Sequence, residues 1–324
     1  MTPVLISVTH VGIYKMNLFQ AIVIGLIQGL TELFPISSLG HTVLVPSWFG
    51  GTWALLVKQE SEPESPYLAF IVGLHLATAV VLLGFYFKEW VRLIAGFFTA
   101  IPHRHNLSDD ERLAWLIVIA TIPVGILGLV FEHQFRVLFA KPVAAAGFLL
   151  ANGCILAAGE IQTRRQRHLE LAVEAPAHRR RFRDTHIVAI DDAAVHQLSR
   201  IGVLSSAVIG AAQALALLAG ISREGVAMTG GIFRRLNRQN ALRFSFLLST
   251  PVIFAAGALK IGDALGPLGH GIRPELLAGT LATAATSLIA VIFLSRWFRT
   301  RTLVPFIAWC FLFGAASIIR FGIF

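Results

Sequence analysis

Thr31-Glu-Leu-Phe-Pro-Ile-Ser-Ser-Leu-Gly-His41 interrupts an apolar region that runs from residue 17 to 49. A spanning helix needs about 20 apolar residues in succession. Here a carboxylate, a proline, two serines and a glycine fall near the middle, so each half is too short to cross alone. The same event recurs over 203–233, where the break reads Ala219-Gly-Ile-Ser-Arg-Glu-Gly225. Both regions are expected to be re-entrant helix pairs that dip into a membrane and return to the same side. Non-helical backbone at that depth survives only where protein or a water-filled cavity surrounds it.

Working outward, the remainder is that of an all-α polytopic membrane protein. Of 324 residues, 56% are hydrophobic and only 14% charged, with a mean hydropathy of +0.72. Soluble domains average about 25% charged residues, so a soluble enzyme and a disordered chain are both excluded. Full spans are expected at 67–87, 113–131, 142–161, 241–261, 276–294 and 303–319. With the loop at 162–200 placed inside, nineteen of the 27 Lys and Arg lie on the cytoplasmic side, seven outside, and Arg223 alone within the membrane.

That assignment sends the first re-entrant pair in from outside and the second from the cytoplasm, each followed by three spans. The chain therefore reads as two inverted-topology repeats, 17–161 and 201–321, joined by a basic cytoplasmic loop at 162–200. The loop reads as a solvated, topology-setting segment, not a nucleic-acid site, despite the net charge of +9. Residues 1–15 lack the pattern of a signal peptide. Cys154 and Cys310 lie in apolar runs and are expected to be buried packing residues.

Charge at membrane depth costs at least about 2.5 kcal/mol per side chain and marks function by default. The spans leave three such residues, Glu32, Arg223 and Glu224, all at the two breaks. Arg223 offers a planar fork that matches phosphate oxygens. Ser222 stands where the N-cap of a helix over 224–235 belongs, and Ser37 and Ser38 open the half-helix after Pro35, so both breaks aim a helix N-terminus at an anion. Glu32 suits a divalent cation or general-base work, His41 suits proton donation to a leaving phosphate or orientation of a nucleophile, and Ser38 or Ser37 suits attack on phosphorus. His75, alone in an apolar span, is expected to be a packing residue. The loop histidines carry no ligand spacing, and Asp109-Asp-Glu111 reads as a solvated loop.

Residues 28–41 resemble the first signature, EGLTEFLPVSSTGH, of the bacterial undecaprenyl-diphosphate phosphatase family of the bacitracin-resistance type. The second break resembles that family's PGxSRSG signature, and Gln213-Ala-Leu-Ala-Leu and Phe244-Ser-Phe-Leu-Leu-Ser-Thr-Pro251 match its flanks. The resemblance runs from about residue 17 to the C-terminus. It implies an enzyme of the bacterial inner membrane, with its site facing outward, that hydrolyses undecaprenyl diphosphate to the monophosphate and phosphate. It also implies a divalent metal, Mg²⁺ or Ca²⁺. Carried over by position, Glu32, Ser38, His41 and Arg223 would be catalytic, while Ser37, Ser222, Arg223, Gly225 and Gln28 would bind the polyprenyl diphosphate. A homodimer is the oligomeric state held open.

The departures concern the site itself. Gln28 stands where the family has its first glutamate, Leu39 replaces a threonine, Ala219 a proline, Glu224 the second serine of SRS, and Ala227 a threonine. One carboxylate is lost and one gained, so Glu32 and Glu224 are expected to rebuild the acidic, metal-holding pair. The alternative from another class is a non-hydrolytic polyprenyl-phosphate transporter or flippase. Such a carrier would keep Arg223 and the helix ends but need neither nucleophile nor metal.

Overall fold

The computed structural model describes residues 15–60, 66–102, 106–139, 141–173, 192–266 and 271–322, and the regular elements among them are all helical. The N-terminal segment 1–14 and the heart of the basic loop, 174–191, lie outside the described residues. Asn17 opens α1 (Leu18–Leu33) with a reciprocal capping box: its side chain accepts from the Gln20 amide and Gln20 Oε1 accepts from the Asn17 amide. Ser37 caps α2 (Ser38–Phe49). At 1.5 Å per residue these two helices are about 24 and 18 Å long, short of the ~30 Å hydrocarbon core. A further helix, α3 (Gly51–Glu60), follows.

The predicted span at 67–87 is α4 (Pro66–Phe85), which bends by 86° into α5 (Phe87–Thr99). Phe87, Val91, Ile94 and Phe98 recur on one exposed side of α5, the spacing of a helix lying along a membrane interface. Next come α6 (Asp109–Phe139) and α7 (Pro142–Val173), the latter continuing twelve residues past its predicted end. After the undescribed stretch, α8 (Asp192–Ser199) bends by 86° into α9 (Val203–Ala212) and a 3₁₀ turn at Gln213–Leu217. The chain ends with α10 (Arg223–Phe233), α11 (Arg238–Leu265), α12 (Arg273–Trp297) and α13 (Val304–Gly322). Five of these helices, α6, α7, α11, α12 and α13, are long and apolar enough to cross a membrane, and the bent pairs raise the number to seven. This is a multi-pass membrane protein.

The helices that pack most extensively are α1 on α12 and α7 on α13, followed by α4 on α11, α9 on α6 and α10 on α11. Small residues let α1 and α12 approach closely. A Cβ on Gly25 would collide with the Gly279 backbone, and Thr283 Oγ1 and Ser287 Oγ donate to the Gly25 and Gly29 carbonyls at 2.9 and 3.2 Å.

Several expectations are corrected. Part of the supposed loop at 162–200 is helical, because polar residues extend α7 beyond the apolar run that hydropathy detects. Asp109, Asp110 and Glu111 form the first turn of α6, where carboxylates suit the helix dipole. Arg92 bridges Asp110 and Asp192 at 2.9 and 3.2 Å, and Ser199 Oγ donates to Asp109 at 2.6 Å, so this turn holds α5 and α8 in place. Cys310 is buried as expected, whereas Cys154 is exposed on α7. Glu160 is a further buried charge that the span count overlooked. It accepts from Arg164 Nε at 3.0 Å, Arg238 Nη2 at 2.8 Å and the Leu303 amide at 3.2 Å. Fully paired, it ties α7, α11 and the start of α13 together.

Candidate active site

The two breaks meet inside the protein. Ser37 Oγ accepts from the amide of Gly40 in its own break, at 3.2 Å, and from that of Gly220 in the other, at 3.0 Å. Gly220 sits at φ +117°, a conformation that favours glycine. A Cβ on Gly40 would come within 2.9 Å of Gly220 Cα, so the backbones pass at contact distance. Asn152 of α7 clamps the crossing, its Nδ2 donating to the Pro35 carbonyl at 2.9 Å and its Oδ1 accepting from the Ser222 amide at 3.0 Å. Ser222 Oγ in turn accepts from the Gly225 amide at 3.1 Å, capping α10.

Around this crossing lies a small, partly open cavity of about 20 Å³ lined by Glu32, Ser37, Ser38, Leu39, His75, Ala216, Ile221, Ser222, Arg223 and Glu224. All three charged residues expected at membrane depth line it. Glu32, 4% exposed, is the hub. Its Oε2 accepts from Ser38 Oγ and, at 3.0 Å, from Gln28 Nε2. Arg223 Nη1 stands 3.9 Å from Glu32 Oε1, too far for a hydrogen bond. Arg223 Nε and Nη1, Gln28 Oε1 and Glu224 Oε1 are buried without a hydrogen-bond partner. Buried polar atoms are normally satisfied. An oxygen-rich anion would satisfy the guanidinium, and a cation or water the oxygens.

Ser37 and Ser38 are distinguished by their partners. Ser37 Oγ is a brace between the breaks, with two amides already bound. Ser38 Oγ opens on the cavity with its proton directed at Glu32. The two histidines trade places relative to expectation. His75, read as packing, lines the cavity; its Nδ1 donates to the Ile71 carbonyl at 2.9 Å, and its Nε2 lies 3.4 Å from Glu32 Oε2. A 3.6-residue period shows which face a side chain occupies but not what waits opposite. His41 is 3% exposed and stacks on Trp309 and Phe313, off the cavity lining. Gly225 also stays off the lining, where a Cβ would meet Asn152 Oδ1 at 3.2 Å.

For a divalent cation the donor set is suitable: two carboxylates, Glu32 and Glu224, and the free amide oxygen of Gln28 are hard oxygen ligands of the kind Mg²⁺ and Ca²⁺ take. Among the described residues no group of three or more His, Cys, Asp or Glu could hold a metal. Substrate oxygens and water would therefore complete any coordination shell.

Sequence reasoning missed Asn152 and Trp309. An asparagine within an apolar span was a visible signal, since an unpaired amide at that depth is costly. A second signal was an internal likeness: residues 28–41 and 213–226 align without gaps, with six of fourteen identical, including Gln28 with Gln213 and Ser37 with Ser222. The two aligned serines cap their helices identically, each accepting from the amide three residues on.

The chain is similar to known proteins over most of its length. A protein from Mycolicibacterium paratuberculosis named undecaprenyl-diphosphatase is 49% identical over 300 residues, covering 93% of this chain and 96% of the relative. Undecaprenyl-diphosphatase 2 of Frankia alni is 46% identical over 341 residues, covering 96% and 99%. Undecaprenyl-diphosphatase 2 of Chromobacterium violaceum is 36% identical over 309 residues, covering 94% and 99%. Residues 21–316 match the family described as bacitracin resistance protein BacA, and the chain belongs to that family.

Proposed function

We infer that the protein hydrolyses undecaprenyl diphosphate to undecaprenyl phosphate and inorganic phosphate, recycling the lipid carrier of cell-wall synthesis. The observation that carries this reading is one cavity lined both by Arg223, two of whose nitrogens are buried without a partner, and by Ser38 held on Glu32. A carrier would need the cation but not a hydroxyl poised on a base, so the Ser38–Glu32 contact favours the enzyme.

Arg223 and the first-turn amides of α2 and α10 receive the terminal phosphoryl oxygens. Ser38 Oγ attacks the terminal phosphorus while its proton passes to Glu32 Oε2. The bond from that phosphorus to the bridging oxygen breaks, and undecaprenyl phosphate leaves with the bridging oxygen and its electron pair. Water then attacks the serine-bound phosphorus, the Ser38–phosphorus bond breaks, and Glu32 returns the proton to Ser38 as phosphate departs. Arg223 balances charge through both steps, and loss of one such preorganised donor costs about 10²–10³ in rate. Gln28 orients Glu32 by donating to it, and Ser37 and Ser222 fix the two helix starts. A Mg²⁺ or Ca²⁺ ion held by Glu32 and Glu224 would supply charge neutralisation of the diphosphate.

The inverted-repeat reading is supported by the aligned segments and by the packing. Exchanging halves turns the α1–α12 pair into α9–α6 and leaves α4–α11 and α7–α13 as pairs across the axis. Positive-inside counting supports a site that faces the outer side of the inner membrane.

The test is phosphate release from undecaprenyl diphosphate by protein purified in detergent, after chelation and after return of Mg²⁺ or Ca²⁺. Release that falls about 100-fold or more in Arg223→Ala is expected. A folded protein that binds the lipid and releases no phosphate would overturn the enzymatic reading in favour of the carrier.

A further inference from the structure

Ser37 is the strained point of the site. Its φ of 71° and ψ of 110° put a non-glycine residue in a region that L side chains rarely adopt. Such conformations persist only where the surroundings over-determine them. Here the Ser37 hydroxyl holds the Gly40 and Gly220 amides, while its carbonyl accepts from the His41 amide at 3.3 Å and from His41 Nδ1 at 2.7 Å. A carbonyl cannot donate, so Nδ1 carries the imidazole proton and Nε2 keeps its lone pair. That lone pair accepts from Trp309 Nε1 at 2.8 Å. The ring is also flanked by Trp309 and Phe313, with centroids 6.1 and 5.4 Å away and planes within 13° and 27° of parallel. Both nitrogens of His41 are thus committed, and the ring turns its edges away from the cavity.

We propose that Trp309 is a positioning residue for catalysis. It holds His41 as the neutral Nδ1–H tautomer, and His41 holds Ser37 in the strained conformation that aims the next residue, Ser38, at Glu32. A proton added at Nε2 would face the Trp309 N–H donor to donor, so His41 acts as a strut and not as a proton carrier. The proposal rests on the phosphatase reading for its kinetic consequences but not for its structural core.

Two measurements test it. Nitrogen-15 NMR of histidine-labelled protein in detergent, without substrate, should show His41 protonated at Nδ1, and Trp309→Phe should lose that single tautomer while keeping the stack. In the phosphate-release assay, His41→Asn places an amide donor where Nδ1 stood. It should keep kcat within about tenfold of wild type, whereas His41→Ala should lose about 100-fold in kcat, with KM changing less than about threefold. Trp309→Phe should lower kcat by about tenfold, the scale of one hydrogen bond. His41→Asn as inactive as His41→Ala, in protein that remains monodisperse, would show that the ring itself carries a proton and overturn the proposal. An Nε2–H tautomer in the wild type would do the same. If Trp309→Phe does not fold, the wild-type tautomer and the His41 pair decide. Absence of phosphate release by the wild type would sink the phosphatase reading and leave the tautomer measurement to judge the strut.

Discussion

Replacing Asn152 with alanine removes the clamp that joins the two breaks without touching a charged residue of the site. Two buried groups lose their partners, the Pro35 carbonyl and the Ser222 amide. Each orphaned group costs about 1–3 kcal/mol, so the loss of stability should be about 2–6 kcal/mol. That is a large part of the ~5–15 kcal/mol that holds a typical folded protein together. Activity should fall further than stability alone explains, because Pro35 sits three residues from Ser38 and Ser222 one from Arg223. A drift of about 1 Å between nucleophile and phosphate site costs about 10² in rate. Thermal unfolding in detergent, followed by tryptophan fluorescence, reads the first effect, and kcat for phosphate release at a temperature where the variant remains folded reads the second. An Asn152→Ala protein with wild-type melting temperature and kcat would refute the idea that the clamp positions the site.

Ser38→Ala should abolish phosphate release while leaving lipid binding within about threefold, whereas Ser37→Ala should lower thermal stability by about 1–3 kcal/mol and retain measurable turnover; equal kinetic losses in the two variants would contradict their separate roles. Gly40→Ala forces a Cβ to within 2.9 Å of Gly220 Cα and should destabilise by about 1–3 kcal/mol, read as a lower melting temperature. Glu224→Ser should lose metal-stimulated release, and adding Gln28→Glu should restore it; a double variant as inactive as the single one would remove the support for a relocated acidic pair.

The breaks were legible because charge, proline and paired serines inside an apolar run have few structural excuses. Glu32, Arg223 and Glu224 stood out for that reason, and all three line the cavity. Hydropathy could not see that α7 runs on to Val173, since a helix leaving the membrane becomes polar without ceasing to be a helix. Nor could it see the 86° turn after α4, where the apolar signal continues into α5 on one side only. His75, Asn152 and Trp309 escaped for a different reason. Each takes its role from a partner 43, 117 or 268 positions away in the chain, and one sequence carries no record of such distances. The different partners of Ser37 and Ser38 were hidden in the same way, because the bond from the Gly220 amide to Ser37 Oγ joins residues 183 positions apart.

The site draws on α1, α2, α4, α7 and α10 for its lining and clamp, and on α13, the last helix of the chain, for the His41 strut. During synthesis the charged residues are therefore in the membrane well before Trp309 has left the ribosome. A nascent chain would carry Glu32, Ser38 and Arg223 yet lack the contact that sets their neighbour Ser37. A chain cut short ahead of Trp309 would lack the hydrogen bond to His41 Nε2 and the stacking partners of that ring.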